Sequence, residues 1–142
     1  MLGLADAQLV DLRPRKDHRG ALIPVDHNTL PFTPVRGFYV YGVPEGLDRG
    51  GHAHHVTEQA VIALNGAFTI DLTDGDKKVT FRMASREHAL YIPPMIWDRL
   101  YDFSADAVCF VFASTTYQQS DYVRDWDAFV EARRILRSAP PA

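Results

Sequence analysis

The chain has 142 residues, enough for one domain with a buried core. Hydrophobic residues make up 46% and charged residues 23%, and the net charge of −3 gives no basic field for nucleic acid or an anionic membrane. The single cysteine, Cys109, excludes an internal disulfide, and no apolar run approaches a membrane span or a secretory h-region, which predicts a soluble cytoplasmic protein.

In chain order, AQLVDL (7–12) and ALIPVD (21–26) predict two short strands around a turn at Asp17-His18-Arg19-Gly20. GFYVYGV (37–43) reads as a strand with Phe38 and Val40 on one face and Tyr39 and Tyr41 on the other. A histidine-bearing strand follows the turn at Pro44-Glu45-Gly46, then the apolar run Ala60 to Leu64. Asn65-Gly66 predicts a two-residue hairpin into residues 67–72, and Thr73-Asp74-Gly75-Asp76 a second hairpin into residues 77–83. Residues 89–92, 97–101 and 107–113 complete the series, with Cys109 as a buried strand thiol. About nine or ten strands at near-regular spacing, with no long helical period between them, predict an all-β sandwich or barrel. The period then changes: Asp125 can cap a helix with Trp126, Phe129, Val130 and Leu136 on its apolar side, and SAPPA (138–142) reads as a frayed tail.

The chemistry concentrates between Gly46 and Gly66, GLDRGGHAHHVTEQAVIALNG. His52 and His54 are two apart, so a strand puts both rings on one face, with His55 and Ala53 turned away. Arg49 precedes them across Gly50-Gly51, where the backbone can approach a ligand closely, and Gln59 follows. Two imidazoles, a guanidinium and an amide are thus expected at the mouth of a hairpin, as a pocket or a former metal site.

Gly46, His52, His54, Gln59 and Gly66 match G-x5-H-x-H-x4-[E/Q]-x6-G, and with it the chain resembles a cupin, a small double-sheet β-barrel of jelly-roll type. The resemblance implies one domain over residues 1–142, its core spanning roughly 11–130. Cupin metal sites add a histidine from a second motif, P-x-G-x2-H, which here reads Pro93-Pro94-Met95-Ile96-Trp97-Asp98. Glycine is replaced by Met95, histidine by Asp98, and the first motif's carboxylate by the neutral Gln59, a weak ligand for a transition metal. His52, His54 and Asp98 could still hold a metal, or Glu58 could replace Gln59. The reading we favour has no metal and no cofactor, leaving two free imidazoles to move protons near neutral pH.

Further stretches narrow the resemblance: DHRGALIPVD (17–26), LPFTPVRGFYVYGVP (30–44), RGGHAHH with the downstream Gln59, LYIPPMIWDRLYDFS (90–104) and ASTTYQQSDYVRDWDAF (113–129). In this order they are similar to the WxcM-like cupin nucleotide-sugar 3,4-ketoisomerases. The family departs here at Trp126, where tyrosine is common, and at His55, where lysine is common. The resemblance implies a dTDP-4-keto-6-deoxyhexose substrate, carbonyl migration from C4 to C3, a metal-free site with His52 and His54 as the catalytic pair, and a homodimer with exchanged N-terminal strands. That chemistry needs one group to take a proton, one to return it, and a donor for the developing oxyanion. Arg49 is the expected diphosphate contact, with Tyr39 or Tyr41 and Gln59 as further substrate contacts. Trp97 is expected to cap the barrel rather than stack on the base, and Arg19, Arg36, Arg99 and Arg124 are equally readable as structural ion pairs. A nucleotide-sugar epimerase, a metal-dependent cupin enzyme and a non-catalytic sugar-binding module are the competing readings.

Overall fold

A computed structural model describes residues 2–139 of the protein. Twelve strands run β1 (Gln8–Asp11), β2 (Arg15–Asp17), β3 (Gly20–Leu22), β4 (Arg36–Tyr41), β5 (Arg49–His54), β6 (Gln59–Asn65), β7 (Phe68–Thr73), β8 (Lys78–Met83), β9 (His88–Ile92), β10 (Trp97–Tyr101), β11 (Val108–Ala113) and β12 (Tyr122–Val123). One helix, α1 (Trp126–Ser138), closes the chain. Two five-stranded antiparallel sheets face each other, in the orders β1-β9-β6-β11-β4 and β12-β5-β10-β7-β8, while β2 and β3 pair only with one another. Among the described residues no helix is long and apolar enough to cross a membrane. Most of the predicted tail, from Pro140 onward, lies outside the described residues.

The period-2 alternation of each strand sends one set of side chains between the sheets. Val61 and Ala63 of β6, Phe68, Ile70 and Leu72 of β7, Leu90 and Ile92 of β9, Leu100 of β10, and Cys109 and Val111 of β11 form this inner core. Burial pushes the Cys109 thiol up to about 12, so it stays neutral among them. The outer face of the first sheet carries a second cluster, with Leu12, Leu30 and Phe32 covering Ala60, Ile62, Ala89 and Tyr91. α1 covers the outer face of the second sheet, where Phe129 is fully buried against Ala53, Met95 and Val123. Asp125 caps the helix by accepting the Ala128 N–H at 2.9 Å, as expected.

Three sequence expectations are corrected by the sheet order. Asn65-Gly66 joins no hairpin: β6 and β7 lie in opposite sheets, and the chain turns a corner between them. Gly66 sits at φ +62°, and a Cβ there would stand 2.3 Å from Ser104 Oγ, so only glycine fits that corner. Likewise β5 and β6 belong to opposite sheets, which puts the histidines between two sheets rather than at a hairpin mouth. The turn at residues 73–76 does join a true hairpin, with Thr73 opposite Lys78. The N-terminal region holds three short strands rather than two, because β1 pairs with β9 while β2 and β3 make their own hairpin around the predicted His18-Arg19 turn.

Candidate active site

β5 pairs with β10 on one side and β12 on the other, so residues from three strands meet around the histidine pair. Ala53 faces α1, and His52 and His54 therefore face the barrel interior. By parity alone Arg49 should face the other way. Gly50 and Gly51, both near φ +80°, and the register shift between Asp98 and Arg99 of β10 break that parity. The Arg49 charge consequently acts on His52. His52 and His54 lie edge to face with ring centroids 5.1 Å apart, and Tyr122 of β12 packs on them at 5.0 and 4.4 Å.

His54 is buried, and its Nδ1–H donates to Asp121 Oδ2 at 3.0 Å. Asp121 also accepts the Val56 N–H at 2.8 Å and the Thr57 hydroxyl, whose oxygen lies 2.7 Å from that of Thr115. Burial works to raise the Asp121 carboxyl, but the hydrogen bonds from Thr57, Val56 and His54 outweigh it and hold the group below the usual carboxylate range. An ionised Asp121 accepts only, which fixes the proton on His54 Nδ1 and leaves Nε2, buried and unpartnered among the described residues, as the free lone pair. Burial lowers the His54 pKa; Asp121 opposes that, and the Arg36 and Arg124 charges add to it. His52 is lowered to about 4, first by burial, then by His54, Arg124 and Arg49, against a hydrogen bond with the Gly50 backbone. Both rings are neutral at pH 7.

Three guanidiniums thus act on the pair: Arg36 on His54, Arg49 on His52, and Arg124 on both. None of the three has a carboxylate partner among the described residues, whereas Arg19 pairs with Asp17 and Arg99 with Asp48 and Asp71. Arg124 lies 4.2 Å over the Tyr122 ring, and Arg36 lies between Phe38 and Tyr117 at 5.5 and 5.6 Å. Unneutralised guanidiniums around neutral imidazoles make an electrostatic site for an anionic ligand.

The other expected contacts fall elsewhere or inside. Gln59 is buried at the start of β6, on the inner face with Val61 and Ala63. Tyr39 and Tyr41 are not on a strand beside β5: β4 pairs with β11 in the other sheet. Their side chains turn away from inward-facing Val40, are 61% and 71% exposed, and stack with one another, Tyr39 also with Phe110, so the structure does not bring them to the histidines. Trp97 packs against Trp126 and Phe129 of α1 and caps the outer face, as expected. Sequence reasoning quoted Asp121 and Tyr122 only as part of a motif and passed over Thr57. The signal available was the string DYVRD, whose partner at β5 lies 67 positions away in the chain.

A cupin barrel raises the question of a metal. Glu58 is turned to the outer face, where Tyr91 donates to it at 2.5 Å, and Gln59 brings no charge. Among the described residues no three His, Cys, Asp or Glu side chains converge as a ligand set, so the residues present do not fit a metal.

Together the two-sheet barrel and its inward-facing histidine pair place the protein in the cupin class. A family model described as "FdtA: WxcM-like, C-terminal" matches residues 5–134, and the chain belongs to that family. It is 33% identical over 123 residues, 86% of this chain and 88% of the relative, to the TDP-4-oxo-6-deoxy-alpha-D-glucose-3,4-oxoisomerase of Aneurinibacillus thermoaerophilus. It superposes with TM-score 0.90 and 29% identity on QdtA, a sugar 3,4-ketoisomerase from Thermoanaerobacterium thermosaccharolyticum in complex with TDP, covering 96% of this chain and 100% of that one. A histidine-to-asparagine variant of that enzyme has been crystallised with TDP-4-keto-6-deoxyglucose. NovW, a 4-keto-6-deoxy sugar epimerase of Streptomyces spheroides, shares the fold at TM-score 0.69 and 18% identity over 86% of this chain and 70% of its own.

Proposed function

We propose that the protein converts dTDP-4-keto-6-deoxyglucose to its 3-keto isomer, a step of deoxysugar biosynthesis. The observation that carries this reading is the pair His52 and His54, the latter backed by Asp121, amid three guanidiniums with no carboxylate partner. The names of the relatives supply the substrate class. Arg49, Arg36 and Arg124 hold the diphosphate, and Gln59 contributes to the inner wall. His54 Nε2 takes the proton from C3, and the electron pair moves onto the C4 oxygen, giving an enediolate. Proton exchange between the two oxygens and protonation at C4 leave the carbonyl at C3. His52 positions the sugar or returns the proton at C4. Each proton-moving group contributes about 10²–10⁴ in rate.

The working unit in this proposal is a homodimer with exchanged N-terminal strands. Hairpin β2–β3 pairs with neither sheet of its own barrel, and Leu9, Leu22, Val35, Tyr39 and Tyr41, all in the first 41 residues, are exposed. On this reading Tyr39 and Tyr41 act at the subunit contact, which is where their exposure fits best. NMR of the sugar after incubation tests the reaction. A new C3 carbonyl with C4 reduced supports it, while C3 or C5 inversion with the C4 carbonyl retained would make the protein an epimerase.

A further inference from the structure

The chemistry requires a hydrogen-bond donor for the oxygen that gains charge, and Tyr39 and Tyr41 do not reach the histidines. Asp98 does stand beside them. It is the register partner of His52 across β5 and β10, 5% exposed, on the inner face with Leu100. Its Oδ1 has no partner among the described residues and fills the space where a Gly50 side chain would stand. The carboxyl therefore occupies the glycine turn between Arg49 and His52, where the backbone opens to a ligand.

We propose that Asp98 is a catalytic residue that works as a neutral carboxylic acid, donating its O–H to the sugar oxygen beside His52 as that oxygen becomes an enediolate. The proposal rests on the reaction given above. Burial raises the Asp98 carboxyl to about 7, opposed only by the Gly51 N–H. Of the groups around it, His52 on β5 is neutral, Cys109 on β11 is a neutral thiol and β7 presents Leu72; Arg49, across the glycine turn on β5, is the nearby cation, and its charge falls on His52 and Cys109 rather than on the carboxyl. A neutral acid at this place can donate to a developing oxyanion, and it loses that ability when it ionises.

Three proteins test this: wild type, Asp98→Asn, which keeps a donor that cannot ionise, and Asp98→Leu, which has none. Wild-type kcat should fall about tenfold per unit above about pH 7, and the Asn variant should keep activity within about tenfold without that fall. The Leu variant should lose about 10²–10³ in kcat with KM little changed. Carbon-13 NMR of the free protein, which needs no turnover, should find one carboxyl titrating near 7 that is missing from the Asn variant. A carboxyl titrating near the ordinary aspartate value overturns the proposal even if the Leu variant fails to fold. So does a Leu variant that turns over like wild type, or an Asn variant as inactive as the Leu one. A wild-type protein that converts no sugar refutes the proposed reaction itself, a separate result from a working enzyme indifferent to Asp98.

Discussion

Replacing Asp121 by asparagine tests the His54 assignment through a residue that touches no substrate. Asp121 holds the Val56 N–H on Oδ1 at 2.8 Å, and His54 and Thr57 on Oδ2. Asparagine has a single acceptor oxygen for these two sites. If that oxygen stays with Val56, the amide N–H faces His54 Nδ1 and drives the ring proton to Nε2, which removes the lone pair proposed to take the C3 proton. If it faces His54 instead, the amide N–H collides with the Val56 N–H, and a buried donor is left unpaired at a cost of about 1–3 kcal/mol. The first outcome resembles the loss of the aspartate in a Ser-His-Asp triad, where the wrong tautomer costs about 10⁴ in kcat. We therefore expect a loss of about 10²–10⁴ in kcat, with KM changed less than about threefold and the melting temperature lowered by a few degrees. Steady-state kinetics with a thermal melt measures both. A folded Asp121→Asn variant within about threefold of wild-type kcat and with an unchanged melting temperature would refute the dyad and the role of His54 with it.

Further expectations follow from the same geometry. Arg49→Ala, Arg36→Ala and Arg124→Ala should each raise KM about 10–100-fold, the scale of one charge-assisted hydrogen bond, while Arg99→Ala, which removes an exposed ion pair, should leave KM unchanged. Chelator should leave turnover intact; activity lost to it and restored by one added metal would contradict the metal-free chemistry. His52 has a folded pKa of about 4 against an ordinary 6.5, so as pH falls below 6.5 the unfolded chain takes up a proton that the folded protein refuses. Its contribution to stability is therefore present above 6.5 and lost between 6.5 and about 4, a loss that His52→Asn should abolish in pH-dependent denaturant titrations. Asp98 works the other way: its raised pKa costs nothing at acid pH, and stability falls from about pH 4 to about 7 by about 4 kcal/mol, a fall missing in Asp98→Asn. Phe129→Ala should cost about 3–5 kcal/mol in a chemical melt, since that ring is fully buried behind Ala53 of the histidine strand.

Much of this was legible in the chain because strand periodicity is local. The alternation of Phe38, Tyr39, Val40 and Tyr41, the capped helix from Asp125 and the shared face of His52 and His54 depend on neighbours within a few residues. What was not legible depends on which strands meet. The turn chemistry of Asn65-Gly66 is the same whether the chain doubles back into a hairpin or turns a corner between sheets, and only the packing of Gly66 on Ser104 distinguishes them. Tyr39 and Tyr41 were assigned to the substrate on the assumption that β4 lies beside β5, and the sheet order makes β4 an edge strand of the other sheet, with both tyrosines on its exposed face. Asp121 reaches His54 only because β12 pairs with β5, a contact that no local pattern encodes. Arg133, near the end of α1, is buried and donates to the Met95 carbonyl at 3.4 Å, which its charge in the sequence does not announce. Met95, in the place of a cupin glycine, keeps a left-handed φ of +59° and donates its N–H to the His54 carbonyl at 2.7 Å, a backbone role invisible in its side chain.

The most direct test of the central claim is the fate of the C3 proton. Wild type, His54→Asn and His52→Asn are each incubated with dTDP-4-keto-6-deoxyglucose in deuterated water, and deuterium at C3 is followed by NMR. The account predicts product from wild type, no C3 exchange and no product from His54→Asn, and C3 exchange with little product from His52→Asn. Exchange at near wild-type rate in His54→Asn but not in His52→Asn would reverse the two roles, and normal turnover by both variants would contradict the account altogether.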